Sequence, residues 1–157
     1  MAKPRKRINI DVDADDAKAR LNDILDRGEN LRPVFKWAEG EIEKANRRNF
    51  GTQGLPVGNW KRLDAQYGAW KAANFPGATR MVRTGKLFNS LRNLSGLGVS
   101  IITPTFAEFG TDVEYAKFHQ YGTEKMPKRK IVYAPREFPR EFGNKAAEYI
   151  ANGRERI

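Results

Sequence analysis

Between Phe50 and Arg80 the chain carries Gly51, Gly54, Pro56, Gly58, Gly68, Pro76 and Gly77, spaced so that no long regular element can run through. A structureless connection of that length is uncommon in a compact domain unless it has a task or orders on a partner. Trp60, Tyr67, Trp70 and Phe75 supply large apolar surface along the stretch. Two outcomes stay open: it packs under the core, or it forms an arm that reaches a neighbouring subunit.

The flanking patterns are more regular. Arg7-Ile-Asn-Ile-Asp-Val12 alternates as a half-buried strand would, Asp13 can cap a helix, and Ala17, Leu21, Ile24 and Leu25 share one face before a stop at Gly28. A longer helix is predicted from about residue 30 to residue 49. Its apolar stripe is Leu31, Val34, Phe35, Ala38, Ile42 and Ala45, Pro33 sits in its first turn, and Glu39, Glu41, Glu43, Lys44, Arg47 and Arg48 mark its solvated side. Residues 84–94 read as a shorter helix with Leu87, Leu91 and Leu94 inward, ended by Gly96 and Gly98. Residues 99–103 and 105–109 read as two strands about Pro104, a hairpin or a bent strand, and Lys130-Ile-Val-Tyr133 as a third. Phe138, Phe142, Ala146, Tyr149 and Ile150 describe a C-terminal helix. The expected fold is a single α+β domain over residues 1–157: a small antiparallel or mixed sheet packed by helices, a basic N-terminal tail, and a long loop or arm at about residues 50–80, between the second and third helices.

The segment from Tyr115 to Arg129 reads as a built surface. Tyr115, Phe118 and His119 fall at i, i+3 and i+4 on one helical face, and Gly122 is placed to end that helix in the left-handed conformation. Lys125, Lys128, Arg129 and Lys130 then surround Pro127, which predicts an extended cationic loop.

Composition narrows the chemistry. The net charge is +10, but Lys and Arg recur in several places and cluster densely only at residues 3–7 and 125–130, so a solvated basic surface competes with nucleic-acid contact. Cysteine is absent, which removes disulfides and thiolate metal sites. No apolar run approaches the roughly 20 residues a membrane span needs, and the basic N-terminus is followed by acidic residues instead of a signal core. His119 is the sole histidine, and Ser90, Ser95 and Ser100 lack a nucleophile-elbow context. Asp11, Asp13, Asp15 and Asp16 begin like a calcium loop, yet Asp16 stands where glycine is needed and Asn22 where a bidentate glutamate is needed. Thr84-Gly85-Lys86 looks like the end of a phosphate loop, but Arg80 replaces its upstream glycine and Leu87 its hydroxyl. The expectation is a non-enzymatic chain with no catalytic residue, metal or cofactor.

Taken together, Tyr115-Ala116, His119-Gln-Tyr-Gly122 and the Pro127-x-Arg129 that follows a variable loop resemble the virion-morphogenesis family of tailed phages, which holds small tail-completion and head-tail joining proteins. Val82-Arg-Thr-Gly-Lys-Leu-Phe-Asn-Ser-Leu91 is similar to that family's threonine-glycine-x-leucine helix, and Trp60-Lys-Arg-Leu63 to its tryptophan-containing loop. Residues 67–76 are longer and more aromatic than the family pattern, and Lys130-Ile-Val-Tyr133 stands where a proline- or phenylalanine-rich strand is more usual. The resemblance implies a structural protein of the virion, assembled in the host cytoplasm. It would form a homo-oligomeric ring, six-fold to match a tail tube, in contact with neighbouring neck or tail proteins, without a membrane and with DNA possible in the channel.

On that reading Trp60, Tyr67, Trp70, Tyr115, Phe118, Lys125, Lys128 and Arg129 are the candidate interface residues, and His119 and Gly122 are structural. Tyr115 and Phe118 anchor the loop's base, while Lys128 and Arg129 pair with acids on an adjacent ring. The alternative is a basic nucleic-acid-binding domain, with Arg5, Lys6, Arg7, Lys128, Arg129 and Lys130 on phosphates and Trp60 and Trp70 stacking on bases.

Overall fold

The computed structural model describes residues 14–153. The expected strand at residues 7–12, the Asp13 cap and the basic cluster at residues 3–7 lie outside the described residues.

Helix α1 (Asp15–Glu29) carries Asp15 and Asp16 in its first turn, where carboxylates favour the positive end of the helix dipole. It runs through Gly28, the expected stop, and ends at Asn30. No residue of α1 is buried: Leu21 is 59% and Leu25 63% exposed, so the apolar face drawn from the sequence has little against it. Arg27 anchors the helix. Its Nε donates to the Ile150 carbonyl at 2.8 Å and its Nη2 to that of Ala151 at 3.4 Å, a cation on the last carbonyls of α7 (Phe138–Asn152).

Helix α2 (Arg32–Gly51) is the central post. Val34, Phe35, Ala38, Ile42, Ala45 and Phe50 bury their side chains, largely the stripe expected. Phe35 stacks on Phe142 at 5.8 Å and Trp37 on Phe138 at 6.2 Å, which docks α7. Glu39 corrects the expectation of a solvated side: it is buried in an ion pair with Lys36. Farther along, polar side chains of α2 clamp the next helices. Asn46 Nδ2 donates to the Leu91 carbonyl at 3.0 Å, Arg47 Nη1 to that of Arg92 at 3.1 Å, and Glu43 Oε1 accepts from Leu94 N at 2.7 Å.

Those contacts hold α4 (Lys86–Arg92) and α5 (Leu94–Leu97), into which the single expected helix is broken at Asn93. Leu87, Leu91 and Leu94 are buried as expected. Strands β1 (Val99–Ile102) and β2 (Ala107–Gly110) then form the antiparallel hairpin about Pro104, with Val99 opposite Gly110 and Ile102 opposite Ala107. The domain is α+β, its sheet two-stranded among the described residues.

Two sequence expectations are corrected. The interrupted stretch contains a short 3-10 turn (Leu55–Val57) and a ten-residue helix, α3 (Ala65–Asn74), capped by Asp64, whose carboxylate accepts from Gln66 N and Tyr67 N. Trp60 packs edge-on against Phe50 at 5.1 Å and is only 3% exposed, so this part lies in the core; Tyr67 and Trp70 remain exposed on α3. Gly54 makes the indole's position available: its φ is +85°, and a Cβ there would meet Trp60 Cδ1 at 2.3 Å.

Residues 130–133 are the second correction, for they form no strand. Their backbone groups bond to side chains instead. Gln120 Oε1 accepts from Ile131 N at 2.8 Å and Val132 N at 3.0 Å, and Gln120 Nε2 donates to the Val132 carbonyl at 3.0 Å. Asn49 Nδ2 donates to the carbonyls of Lys130 and Ile131, and Trp60 Nε1 to that of Lys130. These donors and acceptors supply what a neighbouring strand would otherwise provide.

Candidate binding cavity

Helix α6 (Ala116–Tyr121) places Ala116 in the core and leaves Tyr115, Phe118 and Tyr121 exposed. Gly122 stops it with φ +81° and ψ 175°, an extended conformation at positive φ that glycine alone adopts readily, rather than the left-handed helical one expected. A Cβ at Gly122 would lie 2.9 Å from Lys128 N and 3.1 Å from the Met126 carbonyl oxygen, because the chain doubles back at once. Thr123 and Met126 exchange backbone hydrogen bonds at 2.8 and 3.2 Å, and Arg129 N donates to the His119 carbonyl at 2.8 Å. The expected extended loop is thus a tight turn folded against α6.

Arg129 faces inward. It is 5% exposed, its Nε donates to the Lys61 carbonyl and its Nη2 to that of Arg62, each at 3.0 Å. This corrects the expectation that Arg129 pairs with acids on a neighbouring ring: two carbonyls of its own chain occupy it, and it ties the turn to the segment ahead of α3. Trp60 is likewise taken up by the core, and with its indole buried it offers no face for stacking on a base.

The turn, α6, α3 and the start of α4 enclose a cavity of about 460 Å³, within the range of pockets that hold small molecules or peptide side chains, about 300–1,000 Å³. Leu63, Met81, Leu87, Phe118, Met126 and Pro127 form its apolar walls. Lys71, Arg83, Lys86, Lys125 and Arg129 line it with positive charge. Among the described residues Asp64 is the one carboxylate in the lining, and it is engaged as the α3 cap.

Lys71 is 4% exposed and donates to the Thr79 carbonyl. Burial, and then the Arg83 charge, lower its ammonium from the ordinary 10.5. His119 packs edge-on to Tyr115 at 6.0 Å, and its Nδ1 is buried with no hydrogen-bond partner among the described residues. Burial first and Arg129 second hold its imidazole below the usual 6.5. The same kind of causes, burial and then the Arg80 charge, hold the Arg129 guanidinium below its ordinary value.

The cavity thus gathers Tyr67, Tyr115, Phe118, His119, Lys125 and Arg129 from the candidate set. Trp70 stands beside it, stacked on Tyr67 at 5.6 Å, and Lys128 is exposed outside the lining. Sequence reasoning missed Lys71, Met81 and Arg83 as parts of one site. Lys71 was visible only as a cation next to Trp70, and Arg83 and Lys86 only as members of a helix motif.

The model of the phage virion morphogenesis family matches residues 12–152, and the chain belongs to that family. No curated protein and no solved structure matches it. Among the described residues no helix is long and apolar enough to cross a membrane.

Proposed function

We propose that this protein is a non-enzymatic structural component of the phage neck or tail, one that closes into a ring and completes the tail or joins it to the head. Family membership supports the virion role. The observation that carries the finer reading is the group of exposed aromatic side chains at the cavity, Tyr67, Tyr115 and Phe118 in its lining and Trp70 stacked on Tyr67. Large aromatics gathered at a concave surface, with Lys125 and Lys128 exposed nearby, have the composition of an interface core with a charged rim. The mechanism is geometric: copies associate through two different surfaces, the contact closes on itself, and each face of the ring templates a different neighbour. Six-fold symmetry, matched to a tail tube, is the expected closure.

Imaging tests this directly. A tagged copy located by electron microscopy on purified virions is expected at the head-tail junction or the head-proximal tail end, and phage lacking the protein are expected to accumulate unjoined heads and tails. Absence of the protein from purified virions overturns the reading.

A further inference from the structure

Resting on the ring reading, the structure carries one more step, concerning which surface fits which. Each copy has two features of opposite character. One is the cavity, whose lining holds five cations and one carboxylate already engaged as a cap. Two of those cations, Lys71 and Arg129, are themselves almost wholly buried. Lys71 uses one of its three donors, on the Thr79 carbonyl. Such a site favours an anion, and its apolar walls favour one delivered on a polypeptide.

The other feature is α1. It has no buried residue, exposes Leu21 and Leu25, and carries in its first turn Asp16 and also Asp15, the latter ion-paired on the surface with Lys18 at 3.4 Å. Residues 11–16 read Asp-Val-Asp-Ala-Asp-Asp, the densest carboxylate run in a chain of net charge +10, and no Lys or Arg falls between Ile8 and Ala17. None of the cavity's lining comes from α1. The two surfaces are therefore distinct, opposite in charge and both partly apolar, which is the requirement for a heterologous contact that can close a ring.

We propose that the cavity between α3 and α6 receives the acidic head of α1 from a second copy of this chain. The carboxylates of the run face Lys71, Arg83, Lys86 and Lys125, and the apolar residues of α1 pack towards the exposed aromatics of the rim. A duplex DNA backbone is the poorer occupant: a hollow of about 460 Å³ walled by Leu63, Met81 and Leu87 fits side chains, whereas phosphate tracking needs an open basic ridge.

The absence of cysteine makes a clean test possible in the full chain. Ala14→Cys puts a thiol at the head of α1 and Met126→Cys puts one in the cavity wall, both without altering charge. Mixed and mildly oxidised, the two single variants are expected to give a cross-chain disulfide, whereas Ala14→Cys with Ala73→Cys, an exposed α3 position outside the cavity lining, gives none. Lys86→Glu with Lys125→Glu, both exposed, is expected to weaken self-association more than about tenfold through like-charge contact. Adding Asp15→Lys and Asp16→Lys restores it. Rings that form without the Ala14–Met126 crosslink, or that ignore the charge reversal, overturn this contact and leave the ring intact. A chain that never assembles, alone or with tails, overturns the ring reading as well. Charge-reversed variants that lose only the binding of a labelled oligonucleotide assign the cavity to nucleic acid and overturn the proposal.

Discussion

Trp60 Nε1 donates to the carbonyl oxygen of Lys130 at 2.8 Å, joining residues 70 positions apart in the chain. Asn49 Nδ2 reaches the same oxygen at 3.0 Å and the Ile131 carbonyl at 3.1 Å. A helix, a loop and an extended segment thus meet at one peptide, directly behind the turn that forms one wall of the cavity.

The shared acceptor predicts non-additivity. Trp60→Phe, which keeps a ring but removes the donor, is expected to cost about 1 kcal/mol, and Asn49→Ala about 2 kcal/mol. The double variant is expected to lose more than the sum, because only then is the Lys130 carbonyl left without either donor. Urea unfolding of the four proteins gives the coupling, and strict additivity would contradict a shared role.

Two glycines should answer oppositely to alanine. Gly54 sits at φ +85° with its missing Cβ 2.3 Å from Trp60 Cδ1, so Gly54→Ala is expected to destabilise by about 3 kcal/mol or more. Gly40 lies inside α2 with nothing within 4 Å of a Cβ, so Gly40→Ala is expected to stabilise by about 0.5–1 kcal/mol. Thermal unfolding measures both.

Adjacent cations should likewise differ. Arg129→Ala removes two part-buried hydrogen bonds of an inward-facing guanidinium and is expected to cost about 2–4 kcal/mol. Lys128→Ala, on the exposed side of the same turn, should stay within about 0.5 kcal/mol. Equal costs from denaturant unfolding would place Arg129 outside the fold's framework.

Acidification should loosen the cavity through His119. Its folded imidazole is held below 6.5, so above that pH both folded and unfolded chains are neutral there and stability is complete. As pH falls below 6.5 the unfolded chain takes up the proton first, and stability declines until the folded value is passed. Lys71, Lys125, Arg129 and Asp64 share the cavity lining with it. His119→Gln is expected to flatten the slope of stability between about pH 7 and 5.5; an unchanged slope would assign it elsewhere.

Periodicity made α2, the hairpin, the leucines of α4 and the aromatic face of α7 legible, because in those elements the residues that make the element or its contacts recur at local spacing. It misread Glu39, which was placed on the solvated side yet is buried in its pair with Lys36, and it gave no sign that Asn46 and Asn49 are buried on carbonyls distant in the chain. Helix α3 was hidden by Gly68 and the glycines and prolines around it, although Asp64 offered a cap signal. Ile131 and Val132 suggested a strand because alternation does not reveal whether the bonding partner is a strand or, as here, Gln120, Asn49 and Trp60. The aromatic and basic members of the cavity were recognisable singly. Their convergence was not, since it depends on Gly122 reversing the chain and on Arg129 turning inward.

The most direct test of the central claim is the mass of the purified protein by light scattering, with and without nuclease, and electron microscopy of the same sample. The account predicts a discrete, nuclease-insensitive closed ring, or a monomer that forms rings only when tails are added. An irregular, nuclease-sensitive species whose DNA affinity falls steeply with salt would contradict it.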